Sequence, residues 1–281
     1  MVSIVSDSST LYSVSEGKER GIYVVPLNIS VDNNSFRDFE DITSTQLLKR
    51  IENHEIPRTS QPSLGEKIQL YNELGKDGEV IDITMASGLS GTYDTALIAK
   101  ESCDYSENIH VIDSMTLCGP HRLIVDTAAD MANRGALAKD IVKMIVQSRL
   151  KEVSYLVPID FQFLVRGGRI RGVAATLGGA LKLIPILKKG KDGNGLDKLS
   201  VGRTYKKVVD VVISDLIKNK VDSSYTIFIS HAFNEELALK FERQIKTTFE
   251  KVKVVLYPLS PSFITQGGPG CVAIQAIKIE R

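Results

Sequence analysis

Over residues 1–150 short β-branched runs alternate with capped helical patterns, and this alternation constrains the fold more than any other feature. Val2 to Ser6 reads as a strand and Ser13-x-x-Glu16 has capping-box spacing for a helix. Ile22 to Val31 reads as the next strand, followed by a turn at Asp32-Asn33-Asn34. Thr43-x-x-Gln46 and Ser63-x-x-Glu66 open two further helices, the second preceded by Pro62. Glu79–Thr84 and Asn108–Ile112 read as strands, with a helix from Gly91 to Glu101 between them and two helices, Gly119–Asn133 and Leu137–Arg149, after them. This alternation of strand and helix predicts a parallel sheet in a three-layer α/β domain.

After Lys151 the pattern changes. Strands are expected at Val153–Val157, Lys182–Leu187, near Leu199, at Thr226–Ser230 and at Lys253–Tyr257. A short helix, Phe161–Val165, stops at Gly167-Gly168, and Ala174–Ala180 is a helical, small-residue stretch. Val208, Val209, Val212 and Leu216 stripe another helix, and Glu235–Phe249 forms a further one. This half reads as α+β with a partly antiparallel sheet, so the expected domains are 1–150 and 151–281.

Composition removes several function classes. The chain has 281 residues with 35 Lys/Arg against 34 Asp/Glu, and a net charge of +1 argues against a general nucleic-acid binder. The charge is unevenly placed: residues 161–210 carry eleven Lys/Arg and three Asp. That basic stretch is either a solvated face or a docking surface for something anionic. Three cysteines without C-x-x-C spacing make neither a disulfide framework nor a zinc site, and a reducing, cytoplasmic setting is the expectation. Gly172–Leu187 is interrupted by Lys182 and Pro185, so no membrane span is expected.

Two hydroxyl-rich motifs stand out. Ser87-Gly88-Leu89-Ser90-Gly91-Thr92 follows a strand and opens a helix, a geometry that offers backbone amides and the positive end of the helix dipole to an anion; Ser90 is the expected N-cap. A hydrolase nucleophile elbow requires glycine two residues after the serine, and Thr92 occupies that position. Thr59-Ser60-Gln61-Pro62-Ser63 places three hydroxyls and an amide in a proline-stiffened loop before a capped helix. Capping explains Pro62 and Ser63 but not Thr59 and Ser60. Both motifs lead towards helix N-termini, which places them at one edge of the sheet, where such folds bind ligands. Gly167-Gly168-Arg169-Ile170 and Gly267-Gly268-Pro269-Gly270 permit close backbone approach.

No phosphate loop, dinucleotide fingerprint or H-E-x-x-H motif is present, and the four histidines are scattered. The residues therefore suit a binding protein better than a self-sufficient enzyme, and no cofactor or metal is expected.

Taken in order, these pieces resemble the DegV family. The resemblance is carried by the opening Val-Ser-Asp-Ser-Ser, Thr59–Ser63, Ser87–Thr92, Asp113-Ser114, Gly167–Ile170, Val201-Gly202-Arg203-Thr204 and the terminal Gly-Pro-Gly, spanning the whole chain. It implies a two-domain protein that holds one long-chain fatty acid, with the second domain covering the acyl chain. Some members present the carboxylate to a separate ATP-dependent fatty acid kinase subunit. By this resemblance Thr59 and Ser90 hold the carboxylate, Ser60 and the amide of Gly91 support it, and Arg203 adds positive charge. Gln266 stands where the family commonly has histidine; it donates a hydrogen bond but does not titrate near neutral pH. Gly119-Pro120-His121 also departs from the glycine-rich stretch usual after Asp113-Ser114.

Burying about 15 methylenes at ~0.8 kcal/mol each gives ~12 kcal/mol gross, before ordering costs. A buried carboxylate then needs hydrogen-bond donors, which two hydroxyl loops and a helix N-terminus supply. The expected activity is thus fatty acid carriage without catalysis, with a kinase subunit and transient contact with an anionic membrane as further partners. The rival is an enzyme acting on a small carboxylate or phosphate ester, with Ser90 as nucleophile or anchor.

Overall fold

The computed structural model describes residues 2–170, 183–190 and 193–280. The helix expected at Ala174–Ala180 and the start of the strand expected from Lys182 lie outside the described residues. The chain divides into two compact units: Met1–Leu150 with Ser260–Ser262 and Ile279–Arg281, and Lys151–Leu259 with Phe263–Lys278.

In the first unit β1 (Val2–Asp7) leads through a 3₁₀ turn to α1 (Val14–Glu19), where Ser13 and Glu16 form a reciprocal capping box. The single strand expected over Ile22–Val31 is two: β2 (Ile22–Val25) and β3 (Asn28–Val31), which enter different sheets. Pro26 cannot donate to a ladder, and at Leu27 the chain is diverted, its N–H given to Ser8 Oγ at 3.1 Å and its carbonyl to Asp38 N–H at 2.8 Å. After a two-residue turn at Asp32-Asn33 come β4 (Asn34–Arg37), the Thr43-capped α2 (Ser44–Glu52) and β5 (Pro57–Ser60). Strands β4, β3 and β5 form a small antiparallel sheet.

The chain continues through α3 (Leu64–Gly75), β6 (Glu79–Thr84), α4 (Thr92–Ser102), β7 (Ile109–Asp113), α5 (Cys118–Asn133) and α6 (Ala138–Ser148). Strands β2, β1, β6 and β7 make a wholly parallel sheet in that order. Helices α3 and α4 pack on each other and on β6, while α5 and α6 pack on each other and on β1 and β6. β6 is buried at every position after Glu79, as a strand covered on both faces must be. The path leaves β1 towards β2 and leaves β6 towards β7, so the loops after β1 and β6 part at the point where the strand order reverses.

Inside this unit Lys67 of α3 and Asp82 of β6 form an ion pair with neither side chain exposed, and Tyr71 one turn further along α3 donates its hydroxyl to the same oxygen, Asp82 Oδ2. Burial, with the adjacent Asp82 charge, raises the Tyr71 pKa and keeps it a donor. Among the described residues Asp82 Oδ1 has no hydrogen-bond partner. The pair therefore carries a desolvation cost that its mutual attraction and the Tyr71 hydrogen bond offset. A second buried carboxylate, Asp38, accepts from Ser262 N–H at 3.1 Å and from Ser8 Oγ–H at 2.9 Å, tying residues 260–262 to the loop after β4. Burial pushes the Asp38 pKa up to about 6, against the lowering effect of these hydrogen bonds.

The second unit is built on a six-stranded sheet. Its strands are β8 (Glu152–Val157), β9 (Ile184–Lys189), β10 (Leu196–Gly202), β11 (Thr226–His231), β12 (Lys253–Pro258) and β13 (Val272–Ile277). Their order is β10-β9-β8-β13-β11-β12, with β11 and β12 parallel and every other pair antiparallel. The short α7 (Gln162–Gly167) ends at Gly168, whose φ of 70° suits a helix stop. α8 (Tyr205–Lys218) and α9 (Glu235–Thr248) bury Val208, Val212, Leu216, Leu237, Phe241 and Ile245 in one apolar cluster with Ile227, Ile229 and Ile274 of the sheet. α10 (Pro261–Gly267) precedes the central strand β13, and neither has a counterpart in the sequence reading.

Lys67→Ala leaves the Asp82 carboxylate buried and uncompensated, and is expected to lower stability by about 3–5 kcal/mol in urea unfolding. The double replacement Lys67→Met with Asp82→Leu is expected to lose less than either single change. For Asp38, the native pKa of about 6 lies above the ordinary 3.8, so the native state holds a proton that the unfolded chain gives up. That contribution is complete below pH 3.8 and is lost as pH rises through about 6. Relative to Asp38→Asn, the wild type is expected to lose about 1 kcal/mol between pH 5 and pH 7.

Candidate functional site

Thr59 and Ser60 are not in a loop: they end β5, where Thr59 pairs with Ile29 and Ser60 with Asn28 of β3. Their hydroxyls are therefore carried on a hydrogen-bonded sheet, a firmer mount than the expected loop. Beyond them Gln61 gives its carbonyl to Asn28 Nδ2 at 3.0 Å, and Ser63 caps α3 by accepting from Glu66 N–H at 3.4 Å.

The segment after β6 arrives from the parallel sheet. α4 begins one residue later than expected, with Gly91 rather than Ser90 at the N-cap and no side-chain cap bond from it. Ser90 nevertheless serves the helix start: its Oγ accepts from Thr92 N–H at 3.3 Å and lies 2.8 Å from Thr92 Oγ1. Ser90 and Thr92 thus form a hydroxyl pair at the positive end of an 11-residue helix, where first-turn amides lack intrahelical acceptors.

The two motifs meet. A Cβ added at Gly91 would lie 3.8 Å from Gln61 Cδ, so the Gln61 side chain lies beside Gly91 and leaves room there for no more than a small side chain. Thr59, Ser60, Ser90 and Gly91 thereby belong to neighbouring pieces of chain in the first unit, joined through Gln61. The sequence reading counted that amide in the polar cluster without giving it a role; its position over the helix start follows only from the pairing of β5 with β3.

A buried polar cluster lies in the same unit at the ends of β1 and β6. His121 of α5 has both ring nitrogens engaged: Nε2 is 3.0 Å from Ile83 O and 3.2 Å from Ser6 Oγ, and Nδ1 is 2.7 Å from Ser9 Oγ. A carbonyl only accepts, which puts the ring proton on Nε2 and makes Nδ1 the acceptor from the Ser9 hydroxyl. Burial lowers the His121 pKa, so the neutral ring required by this pattern is the stable form. The imidazole is committed to Ser9, Ser6 and Ile83, and Ser90 is not among its partners.

Arg203 and Gln266 belong to the second unit. Arg203 is exposed, immediately before Thr204, whose Oγ1 caps α8 by accepting from Lys207 N–H at 3.2 Å. Gln266 lies on α10 against Gly167: a Cβ on that glycine would come within 2.1 Å of Gln266 Oε1, so residue 167 is small because the glutamine occupies the space. Gly268 has a φ of 79°, and a Cβ there would lie 2.7 Å from Phe163 Cδ2, which gives the terminal glycine motif a packing reason as well as a conformational one. Among the described residues no group of His, Cys, Asp and Glu could hold a metal ion, and no helix is long and apolar enough to cross a membrane.

Known proteins share this architecture over its full length. The profile of a family described as "Uncharacterised protein, DegV family" matches residues 1–278. The DegV domain-containing protein SA1258 of Staphylococcus aureus (strain N315) is 30% identical over 277 residues, 98% of each chain. Among solved structures, a DegV family protein from Thermus thermophilus described for its fatty acid binding has a TM-score of 0.90 at 22% identity, covering 99% of each chain, a likeness of fold. DegV from Bacillus subtilis, described as a fatty acid binding protein, has a TM-score of 0.83 at 27% identity, again covering 99% of each chain. The chain belongs to the DegV family.

Proposed function

We propose that this protein binds one long-chain fatty acid, with its carboxylate on the hydroxyls of Thr59 and Ser90. Ser60 and the amide of Gly91 support the head group. The observation that carries this reading is the nearness of the β5 end to the start of α4, with the Gln61 side chain beside Gly91. It gathers neutral donors at a helix N-terminus, the chemistry that stabilises a carboxylate without fully neutralising it. The fatty acid binding described for the Bacillus subtilis relative supports the ligand class.

A carboxylate held by hydroxyls and amides keeps an oxygen able to attack a phosphoryl donor. The further role proposed is therefore delivery of the acid to an ATP-dependent fatty acid kinase, which makes the acyl phosphate. The basic stretch within 161–210, including Arg166 and Arg169, is the proposed surface for that partner or for an anionic membrane. The rival reading, Ser90 as nucleophile, is disfavoured by the engagement of its hydroxyl with Thr92 and by the commitment of His121 to other partners.

Native mass spectrometry of the purified protein, followed by solvent extraction, is expected to show a one-to-one adduct that extracts as a long-chain fatty acid. Thr59→Ala and Ser90→Ala are each expected to weaken palmitate binding by about tenfold or more, the loss of a hydrogen bond to a charged group. Protein that carries no adduct and takes up neither palmitate nor oleate would overturn the assignment. Turnover of a small ester without any partner, lost in Ser90→Ala while binding persists, would establish the rival.

A further inference from the structure

Strand β6 lies between β1 and β7, and each neighbour ends in an aspartate whose carboxylate reaches onto the segment leaving β6. Asp7 Oδ2 accepts from Met85 N–H at 2.9 Å, while its Oδ1 accepts from Ser9 N–H at 2.9 Å. Asp113 Oδ2 accepts from the Ser87 hydroxyl at 2.7 Å, and its Oδ1 accepts from the amides of Ser87 at 3.3 Å and Met115 at 2.7 Å. Between them Ala86 N–H donates to Thr116 O at 2.9 Å. Three successive residues, 85 to 87, are thus tied to the flanking strand ends.

The next turn inherits that placement. Leu89 N–H and Ser90 N–H both donate to Ala86 O, at 3.0 and 3.2 Å. The position of Ser90 is therefore set by Ala86, which is itself bracketed by two carboxylate-held residues. Behind Asp7 the arrangement closes on β6 again: Ser9 donates to His121, and His121 donates to Ile83 O. The bonds that the Asp7 and Asp113 carboxylates accept belong to the charge-assisted class, about twice as strong as neutral ones.

We propose that Asp7 and Asp113 are positioning residues that hold the Ser87–Gly91 segment in its ligand-ready form before any ligand arrives. The inference rests on the carboxylate site proposed above. Their role is geometric, since a negative charge beside an anion site acts against binding. A segment already ordered spends less of its interaction energy on ordering when the ligand enters.

The test uses Asp113, because Asp7 is wholly buried and its variants risk misfolding. Palmitate dissociation and amide hydrogen exchange over residues 85–92 of the unliganded protein are measured for wild type, Asp113→Ala, Asp113→Asn and Ser87→Ala, with Ser90→Ala as the reference for direct contact. Asp113→Ala is expected to release palmitate about tenfold faster and to lose exchange protection in that segment. Asp113→Asn keeps an acceptor for the two amides and removes the charge, so it is expected to stay within about twofold of wild type. A folded Asp113→Ala protein with unchanged dissociation and unchanged exchange would overturn the proposal, as would an Asp113→Asn protein as impaired as Asp113→Ala. If wild type retains no palmitate, or Ser90→Ala releases it no faster, the site reading fails. The exchange measurement then decides the positioning role alone, loss of protection in Asp113→Ala supporting it and unchanged protection refuting it.

Discussion

Asp7 brings a carboxylate to a position with no solvent exposure, at the end of the strand on which the parallel sheet is organised. A buried polar group must be paired, and Asp7 is paired with two backbone amides, one on each side of the point where the strand order reverses. The loop after β1 and the loop after β6 are consequently locked to one side chain. The segment leaving β6, up to Ser90, is placed relative to that lock and to the bonds Asp113 accepts from Ser87.

The same requirement recurs through the first unit with different partners. Asp38 receives a hydroxyl and an amide, and in doing so ties residues 260–262 to a loop more than two hundred positions earlier. Asp82 instead receives a lysine and a tyrosine from one face of α3, fixing to β6 the helix that follows the Thr59–Ser63 segment. The two hydroxyl-bearing pieces of chain are thus mounted on one body, Thr59 and Ser60 on a paired strand leading into α3, Ser90 on the segment leaving β6. Such mounting suits a binding protein, because donors already in place gain more from a ligand than donors that must be gathered.

In the second unit close approach at glycine is a recurrent local device beside polar pairs such as Lys188 with Asp215. Gly167 makes room for Gln266, Gly202 for Val208, and Gly268 for Phe163, where a Cβ would lie between 2.1 and 2.8 Å from each neighbour. These glycines share a packing reason whether or not their φ is positive; only Gly268 among the three combines both.

The sequence by itself determined the elements with strong local grammar. The capping boxes at Ser13 and Thr43 and the caps at Ser63 and Thr204 start helices, because a side-chain oxygen within three residues satisfies an orphan amide wherever the rest of the chain goes. The alternation over the first 150 residues likewise announces the parallel sheet β2-β1-β6-β7, though not the small antiparallel sheet β4-β3-β5 beside it. Tertiary structure decided what local grammar does not carry. Ile22–Val31 is one apolar run in sequence but two strands in space, because Leu27 finds its partners in Ser8 and Asp38. β13 is six buried residues with no alternation to announce them, and it becomes the centre of its sheet only because β8 and β11 stand on either side. Gln61 reaches Gly91, and Asp113 reaches Ser87, across intervals of chain that no spacing rule spans. The hydroxyl motifs were legible as chemistry; where each is mounted depended on strand pairing and on carboxylates that had to find donors.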